Sequence, residues 1–183
     1  MNLREELPSD RQAVRTVHVQ AFGDHGNVVA DLVDSLRDTL ASESGLSLVA
    51  EQDSRVVGHA MFTRSLLDAP RQLVDVQVLS PLGVLPEFHK RGIGSALVRQ
   101  GLAMLAERAV PLVFLEGNPA YYSRFGFESG GDLGFRKPSL RIPDSAFQVF
   151  RLPQYEQWMT GTLVYAEPFW RHDLVGLREP HAS

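Results

Sequence analysis

The chain has 183 residues, a formal net charge of −4 and no cysteine. This length suits one domain with its own core, and the acidic balance argues against broad nucleic-acid binding. The missing thiols exclude disulfides, thiolate metal sites and a cysteine nucleophile. There is no apolar run long enough to span a membrane and no apolar centre of a signal peptide near the start, so we expect a cytoplasmic protein without a membrane partner.

The N-terminal half predicts two helices followed by strands. Apolar residues recur at helical spacing in "LPSDRQAVRTVHVQAF", with Ser9 as the expected N-cap, and again in "NVVADLVDSLRDTL". The β-branched stretches "LSLVAEQ" and "RVVGHAMFTRSLL" are separated by Asp53-Ser54, which predicts a hairpin. The stretch "QLVDVQVLSPLGVL" predicts the next strand.

The C-terminal half predicts a β-α-β unit and further short elements. These are the helix "SALVRQGLAMLAER", the buried strand "VPLVFLEG", the short helix "PAYYSRF" stopped by Gly126, and the strands "AFQVFRL" and "GTLVYAEPF". The order predicts an α/β fold with a mixed sheet in one domain, residues 1–170. Residues 171–183 are expected to form a C-terminal tail, and whether it is ordered is left open.

The turn "HKRGIG" joins an apolar run to an apolar helix and suits an anion. The first free N–H groups of the helix and its positive dipole end face this turn, and Gly92 and Gly94 let a ligand approach the backbone. Lys90 and Arg91 add positive charge. The pattern favours a phosphate or pyrophosphate site, although a turn of this kind can also be purely structural.

Two other phosphate-binding designs fit less well. The string G-x-x-x-x-G-K-[ST] of a P-loop is absent. A dinucleotide fingerprint would use Gly92 and Gly94, with Glu116 at a suitable distance for the ribose, but Leu97 stands where the third glycine belongs. A nucleotide-dependent oxidoreductase therefore stays an incomplete alternative.

The segment His89-Lys90-Arg91-Gly92-Ile93-Gly94 resembles the [Q/R]-x-x-G-x-[G/A] signature of the GNAT acyl-CoA-dependent N-acetyltransferases. "LSPLGVLPEF" is similar to the fourth strand of that superfamily, and "NPAYYSRFGF" is similar to its late Asn…Ala…Tyr…Gly-Phe segment. The second form is closest to the bacterial YhbS-like branch of predicted acetyltransferases. One departure is His89, which stands at the usual Gln/Arg position and makes the charge there depend on pH; it either tunes cofactor binding or is a solvent-facing replacement without such a role.

The resemblance implies the GNAT acyl-CoA N-acyltransferase fold, a mixed, mostly antiparallel sheet flanked by helices. Its fourth and fifth strands splay apart, and acetyl-CoA, the acyl donor, lies between them. Pro81 agrees with this, because a proline inside a strand belongs at an edge or a bulge; the alternative is that Pro81 simply ends an edge strand. The implied cofactor contacts are the backbone of Leu82, Gly83 and Val84, the turn of His89, Lys90, Arg91, Gly92, Ile93, Gly94 and Ser95, and the loop residue Asn118.

The implied reaction moves an acetyl group to a primary amine by direct attack on the thioester. Tyr122 is the predicted proton donor to the CoA sulfur, since the family often places a tyrosine four residues before Gly-Phe; Tyr121 is the weaker choice, and both can instead be core aromatics. The predicted bases are Glu116 and Asp75, with Glu51 more distant. Each of these carboxylates can also be a solvated strand end, and Asn118 can simply cap a turn or helix.

Partners beyond the cofactor are less defined by the sequence. The excess acid favours cationic amine acceptors such as polyamines, aminoglycosides or peptide N-termini, and the chain is expected to be a monomer or a homodimer paired through C-terminal strands. A non-catalytic acyl-CoA-binding domain is the alternative function. The histidines have no metal-ligand spacing, so no metal site is predicted and a core or solvated role is expected for His18, His25, His59, His172 and His181.

Overall fold

A computed structural model describes residues 1–40 and 45–179. The helices are α1 (Arg11–Ala21), α2 (Gly26–Thr39), α3 (Ile93–Glu107), α4 (Pro119–Tyr122) and α5 (Glu167–Arg171). The strands are β1 (Asn2–Glu5), β2 (Leu46–Gln52), β3 (Arg55–Asp68), β4 (Leu73–Val84), β5 (Leu112–Glu116), β6 (Glu128–Ser129), β7 (Phe135–Arg136), β8 (Phe147–Arg151) and β9 (Gly161–Val164). Among the described residues, no helix is long and apolar enough to cross a membrane.

The strands form a mixed, mostly antiparallel sheet in the order β1-β2-β3-β4-β5-β8-β6, with β9 joined to β3 and β7 to β9. The strand pair β4–β5 is parallel and is connected through α3, while β1 to β4 run antiparallel. Helices cover both faces and bury one continuous apolar core. The predicted fold class is confirmed.

The hairpin between β2 and β3 turns where the sequence places it. Asp53 and Ser54 have φ values of 49° and 60°, a left-handed conformation that short polar residues adopt more easily than bulky ones. The prediction of Ser9 as a helix N-cap is wrong, because Pro8–Asp10 form a 3₁₀ turn and α1 begins only after Asp10. The Asp10 carboxylate instead accepts a hydrogen bond from the backbone N–H of Leu7.

Strands β4 and β5 separate soon after they meet. They are paired only at Gln77 with Val113 and at Val78 with Phe114. Beyond this point the register of β4 against β3 shifts between Leu79 and Leu82, so that an extra residue of β4 is bulged out next to Pro81. The bulge and the splayed strands predicted around this proline are therefore both present.

The C-terminal segment is more integrated than the sequence suggests. The stretch "GTLVYAEPF" is a strand only in its first part. Its last residues begin helix α5 instead, and Pro168 lies in the first turn of that helix. The part around Val175 and Gly176 is docked onto the domain, since Val175 is buried and the N–H of Gly176 donates to Glu116. Of the stretch "LREPHAS", including His181, residues 180–183 lie outside the described part of the chain.

Candidate active site

A cavity of about 660 Å³ lies beside the last residues of β4, beyond the point where the pairing of β4 with β5 ends. It is bounded by the last residues of β4, the turn before α3, the end of α1 and the α4 segment. Because the β4–β5 ladder has stopped by this point, a ligand can lie against strand backbone here. The lining residues are Ala21, Phe22, Leu82, Gly83, Val84, Phe88, His89, Lys90, Gly92, Ile93, Gly94, Ser95, Tyr121 and Arg124.

The predicted glycine turn forms one end of this cavity. Gly92 is the N-cap of α3 with a φ of 77°, and Lys90 also has a positive φ of 61°. These values turn the chain sharply, so that the first backbone N–H groups of α3 face the opening. Arg91 does not line the cavity; its guanidinium lies over the Phe88 ring, 5.0 Å from the ring centroid.

His89, the departure from the family signature, is exposed and bonded to the strand beside it. Its Nε2 lies 2.8 Å from the carbonyl oxygen of Val84, so Nε2 carries the proton and donates. The side chain thus closes the turn back onto the end of β4. This fixes one wall of the cavity and occupies one lone pair of a carbonyl that the sequence assigned to cofactor contact.

Arg124 is a cavity residue that the sequence analysis did not single out. It stacks on Tyr121 at 4.4 Å from the ring centroid, and its Nη2 lies 3.4 Å from the Ser95 hydroxyl at the start of α3. Its position in "YYSRFGF", one turn after the tyrosines, is the only sequence signal for it. With Lys90 it makes the turn end of the cavity cationic.

The two adjacent tyrosines have different surroundings. Tyr121 lines the cavity, and its hydroxyl lies 2.8 Å from the point where a Cβ on Gly94 would stand. Tyr122 does not line it; its ring packs against Gly117 at the end of β5 and edge-on to Phe127. Burial raises the pKa of Tyr122 to about 12, so its hydroxyl holds its proton firmly.

Glu116, predicted as a base, ends β5 outside the cavity lining. Its carboxylate accepts hydrogen bonds from the Tyr165 hydroxyl at 2.7 Å and from the backbone N–H of Gly176 at 3.0 Å. Burial raises the pKa of Glu116. Both carboxylate oxygens therefore help to hold the C-terminal segment against the sheet.

The other two predicted carboxylates and Asn118 also lie apart from the cavity. Asp75 is exposed on β4 and pairs with Arg64 at 2.7 Å, whereas Glu51 pairs with Arg4 on the β1 side of the sheet. Asn118 caps α4 by accepting a hydrogen bond from the N–H of Ala120. The structure thus brings the predicted cofactor turn together with β4, but none of the three predicted carboxylates.

A buried pair of histidines lies directly behind the β4 wall. His18 on α1 and His59 on β3 are fully buried, with His18 Nε2 2.7 Å from His59 Nδ1. Burial lowers the pKa of His59 to about 3 and that of His18 well below its ordinary value, so both rings are neutral. The sequence predicted a core or solvated role for each and contains no local signal for their contact, because 41 residues separate them.

Comparison with protein families gives a match over most of the chain. The profile described as acetyltransferase (GNAT) domain matches residues 2–130. The uncharacterized N-acetyltransferase YjhQ of Escherichia coli K12 is 34% identical over 164 residues, which cover 87% of this chain and 89% of that protein. The uncharacterized N-acetyltransferase YhbS of the same strain is 32% identical, over 92% of this chain and 98% of that protein.

Solved structures show the same similarity in three dimensions. A GNAT family N-acetyltransferase (YhbS) from Escherichia coli in complex with CoA superimposes with a TM-score of 0.81 at 31% identity, covering 93% of this chain and 92% of that one. A GNAT family acetyltransferase from Brucella melitensis in complex with acetyl-CoA gives a TM-score of 0.73 at 30% identity, with coverages of 92% and 97%.

Proposed function

Because the chain belongs to the GNAT acetyltransferase family, we propose that it is an N-acetyltransferase that moves an acetyl group from acetyl-CoA to a primary amine. The observation that carries the proposal is the cavity beside the unpaired end of β4, which has strand backbone along one side and a cationic glycine turn at one end. A cytoplasmic location and a monomeric or homodimeric state stay predictions.

The cavity has features that suit each part of acetyl-CoA. The N–H groups at the start of α3, with Lys90 and Arg124, suit the pyrophosphate. The backbone at Leu82 to Val84 suits the amide groups of the pantetheine arm, which can pair with a strand edge. Two relatives that are at least 30% identical have been crystallised with CoA or acetyl-CoA, which supports acetyl-CoA as the donor.

In the proposed reaction, the neutral amine attacks the thioester carbonyl in a ternary complex. The C–N bond forms, the tetrahedral intermediate collapses and the C–S bond breaks, which leaves a CoA thiolate to be stabilised. Tyr122 is the proposed donor to that sulfur because of its place four residues before Gly126-Phe127 in the family-like segment, although Tyr121 and not Tyr122 lines the cavity. With its pKa near 12, against about 8.5 for a free thiol, full proton transfer is uphill by ~5 kcal/mol, so Tyr122 acts mainly as a hydrogen-bond donor.

A comparison of Tyr122→Phe with Tyr121→Phe tests this assignment. We expect Tyr122→Phe to lower kcat by about 100-fold and to leave acetyl-CoA affinity unchanged, because only the sulfur donor is lost. Tyr121→Phe is the matched control on the neighbouring ring, and it is expected to change acetyl-CoA affinity more than kcat. The measurements are calorimetric titration with acetyl-CoA and the release of free CoA thiol with a panel of primary amines.

Each alternative function predicts a different result. A non-catalytic acyl-CoA-binding domain would bind acetyl-CoA but release no thiol with any amine, and neither substitution would then affect a rate. A nucleotide-dependent oxidoreductase would bind NADH in the same titration. Absence of binding to acetyl-CoA and CoA would reject the proposed function.

A further inference from the structure

Four polar side chains form a continuous hydrogen-bonded chain from the N-terminal edge of the sheet to the back of β4. Glu6 Oε2 lies 2.5 Å from the Ser47 hydroxyl, and this hydroxyl lies 2.8 Å from His59 Nε2. His59 Nδ1 in turn lies 2.7 Å from His18 Nε2. The members come from four separate segments of the chain, and we call them the Glu6–His18 relay.

The proton positions in the relay follow from its carboxylate end. An ionised carboxylate only accepts, so the Ser47 O–H donates to Glu6 and the Ser47 oxygen accepts from His59 Nε2–H. A neutral imidazole carries one proton, so His59 Nδ1 accepts from His18 Nε2–H. The last nitrogen, His18 Nδ1, is therefore left with a free lone pair.

That lone pair lies behind the cavity wall at Gly83, and His18 itself is not a lining residue. Within the described residues His18 Nδ1 has no hydrogen-bond partner although it is fully buried. It lies 2.8 Å from the point where a Cβ on Gly83 would stand, so only a residue without a side chain fits at this position of the cavity wall. Ala21 and Phe22 complete this part of the wall. The Phe22 ring stacks on the His18 ring, with 5.8 Å between the ring centroids. A buried acceptor in this position calls for a donor from the ligand side.

Charged groups around the relay disfavour a resting imidazolium, and the ion pair with Arg37 also keeps Glu6 ionised, so a proton that reaches Glu6 is held there only transiently. Arg37 on α2 repels positive charge on both rings, while its guanidinium binds the second oxygen of Glu6 at 2.5 Å. Asp10 faces His59 from the α1 side but is itself paired with Arg4 at 2.7 Å. A proton entering at His18 therefore does not rest on either ring.

We propose that His18 Nδ1 is the base that takes the proton from the attacking ammonium group, directly or through one water, and that His59 and Ser47 pass a proton on to Glu6. This rests on the proposed acetyltransferase function. His18 is then a catalytic residue, whereas His59, Ser47 and Glu6 are positioning and relay residues that act through it.

The step is balanced over the reaction. One proton leaves R-NH₃⁺ for His18 Nδ1, each donor of the relay passes its own proton one place on, and Glu6 becomes a neutral carboxylic acid. After the products have left, the same shifts run in reverse and the proton leaves from His18 Nδ1 to water in the cavity, which restores the starting tautomers. The neutral amine forms the C–N bond and the C–S bond breaks. Its second proton ends on the CoA sulfur, so the products are the acetamide, CoA-SH and one proton.

The first test is ¹⁵N NMR of the imidazoles in the apo and acetyl-CoA-bound protein, which does not depend on turnover. We expect protons on Nε2 of both His18 and His59 and an unprotonated, weakly bonded Nδ1 on His18. In Ser47→Ala the His59 tautomer should become mixed. A proton on Nδ1 of His18 in the wild type would overturn the proposal, since that nitrogen could not then accept one.

The second test is the pH profile of thiol release from acetyl-CoA with spermidine or a peptide with a free N-terminus, and with water as nucleophile if neither reacts. Ser47→Ala breaks the relay without touching the cavity and should lower kcat about 10-fold near neutral pH, and His18→Gln about 100-fold. Both losses should shrink as the pH rises, because the amine then becomes neutral on its own. Acetyl-CoA affinity should not change.

Ser35→Ala is the control, since it removes a similar serine–histidine hydrogen bond, that of Ser35 with His172, outside the relay. It should leave kcat and its pH profile at wild-type values. If Ser47→Ala matches Ser35→Ala in a wild type that turns over, the relay has no role in the reaction. If the wild type neither binds acetyl-CoA nor releases thiol, the proposed function fails instead, and the NMR result alone decides the state of His18. If His18→Gln does not fold, Ser47→Ala and the NMR data decide.

Discussion

The two faces of β4 at Leu82 to Val84 have different surroundings, one open and charged and the other buried and neutral. On the α3 side, Leu82 and Val84 face the start of the helix, where glycines and exposed cations leave an open cavity. On the α1 side, Gly83 faces a fully buried, neutral histidine pair. Because side chains alternate along a strand, three consecutive residues separate a charged binding surface from a dry polar network. In the proposed mechanism the open face holds the donor and the closed face takes the proton of the acceptor.

On the open face, the largest loss of acetyl-CoA binding is expected from a substitution at Gly94. We expect Gly94→Val to weaken acetyl-CoA binding about 100-fold, or about 2.8 kcal/mol, because its Cβ would stand 2.8 Å from the Tyr121 hydroxyl and its methyl groups would enter the turn. Calorimetric titration measures the loss. Gly131→Val is the control, since a Cβ at Gly131 meets nothing within 4 Å. Equal affinities for the two variants would show that the turn does not hold the cofactor.

The buried histidine pair on the closed face should make the fold less stable in acid. His59 has a folded-state pKa of about 3, below its unfolded value of about 6.5, so the unfolded chain binds the extra proton and stability is lost as the pH falls below 6.5. Between pH 7 and pH 5 the free energy of unfolding should drop by about 2 kcal/mol from His59 alone. Urea unfolding at the two pH values measures this drop. His59→Gln should reduce the pH dependence, and a wild-type stability that is flat over this range would contradict neutral burial.

The smallest of the three effects is expected at Arg124, which lies at the edge of the open face. Arg124→Gln is expected to weaken acetyl-CoA binding about 10-fold, or about 1.4 kcal/mol, and to lower the salt dependence of binding, because a cation at the turn is lost. Arg99→Gln is the control, because Arg99 stacks at 5.0 Å on the same Phe125 ring as Arg124 but does not line the cavity. Titrations with acetyl-CoA at low and high salt compare the two variants. If both lose the same affinity, the two arginines act through packing and not through charge at the turn.

Features that local residue chemistry dictates could be predicted from the sequence. Pro81 cannot donate to a ladder and Gly92 adopts a positive φ without strain, so the bulge and the turn are encoded where they occur. The amphipathic helices and the β2–β3 hairpin follow for the same reason. Strand β1 was missed because its four residues show no clear alternation, and it exists through pairing with β2.

The parts of the site that depend on distant contacts could not be predicted. Arg124 reaches Ser95 across 29 residues, and His18 reaches His59 across 41. The burial of Val175 likewise depends on contacts distant in the chain, since Arg141 donates to its carbonyl across 34 residues. Nothing near these residues in the chain distinguishes them from ordinary surface or core positions, so only the assembled fold brings them to the site.

The short pairing of β4 with β5 also bears on how long the protein survives in a cell. Two register positions leave the centre of the sheet weakly joined, and local opening at such a seam is where proteases begin. A pantetheine arm that completes the hydrogen bonding would close the seam, and at a concentration 100 times its Kd it would add about 2.7 kcal/mol against unfolding. We therefore expect the protein to resist proteolysis for longer with acetyl-CoA bound than without it.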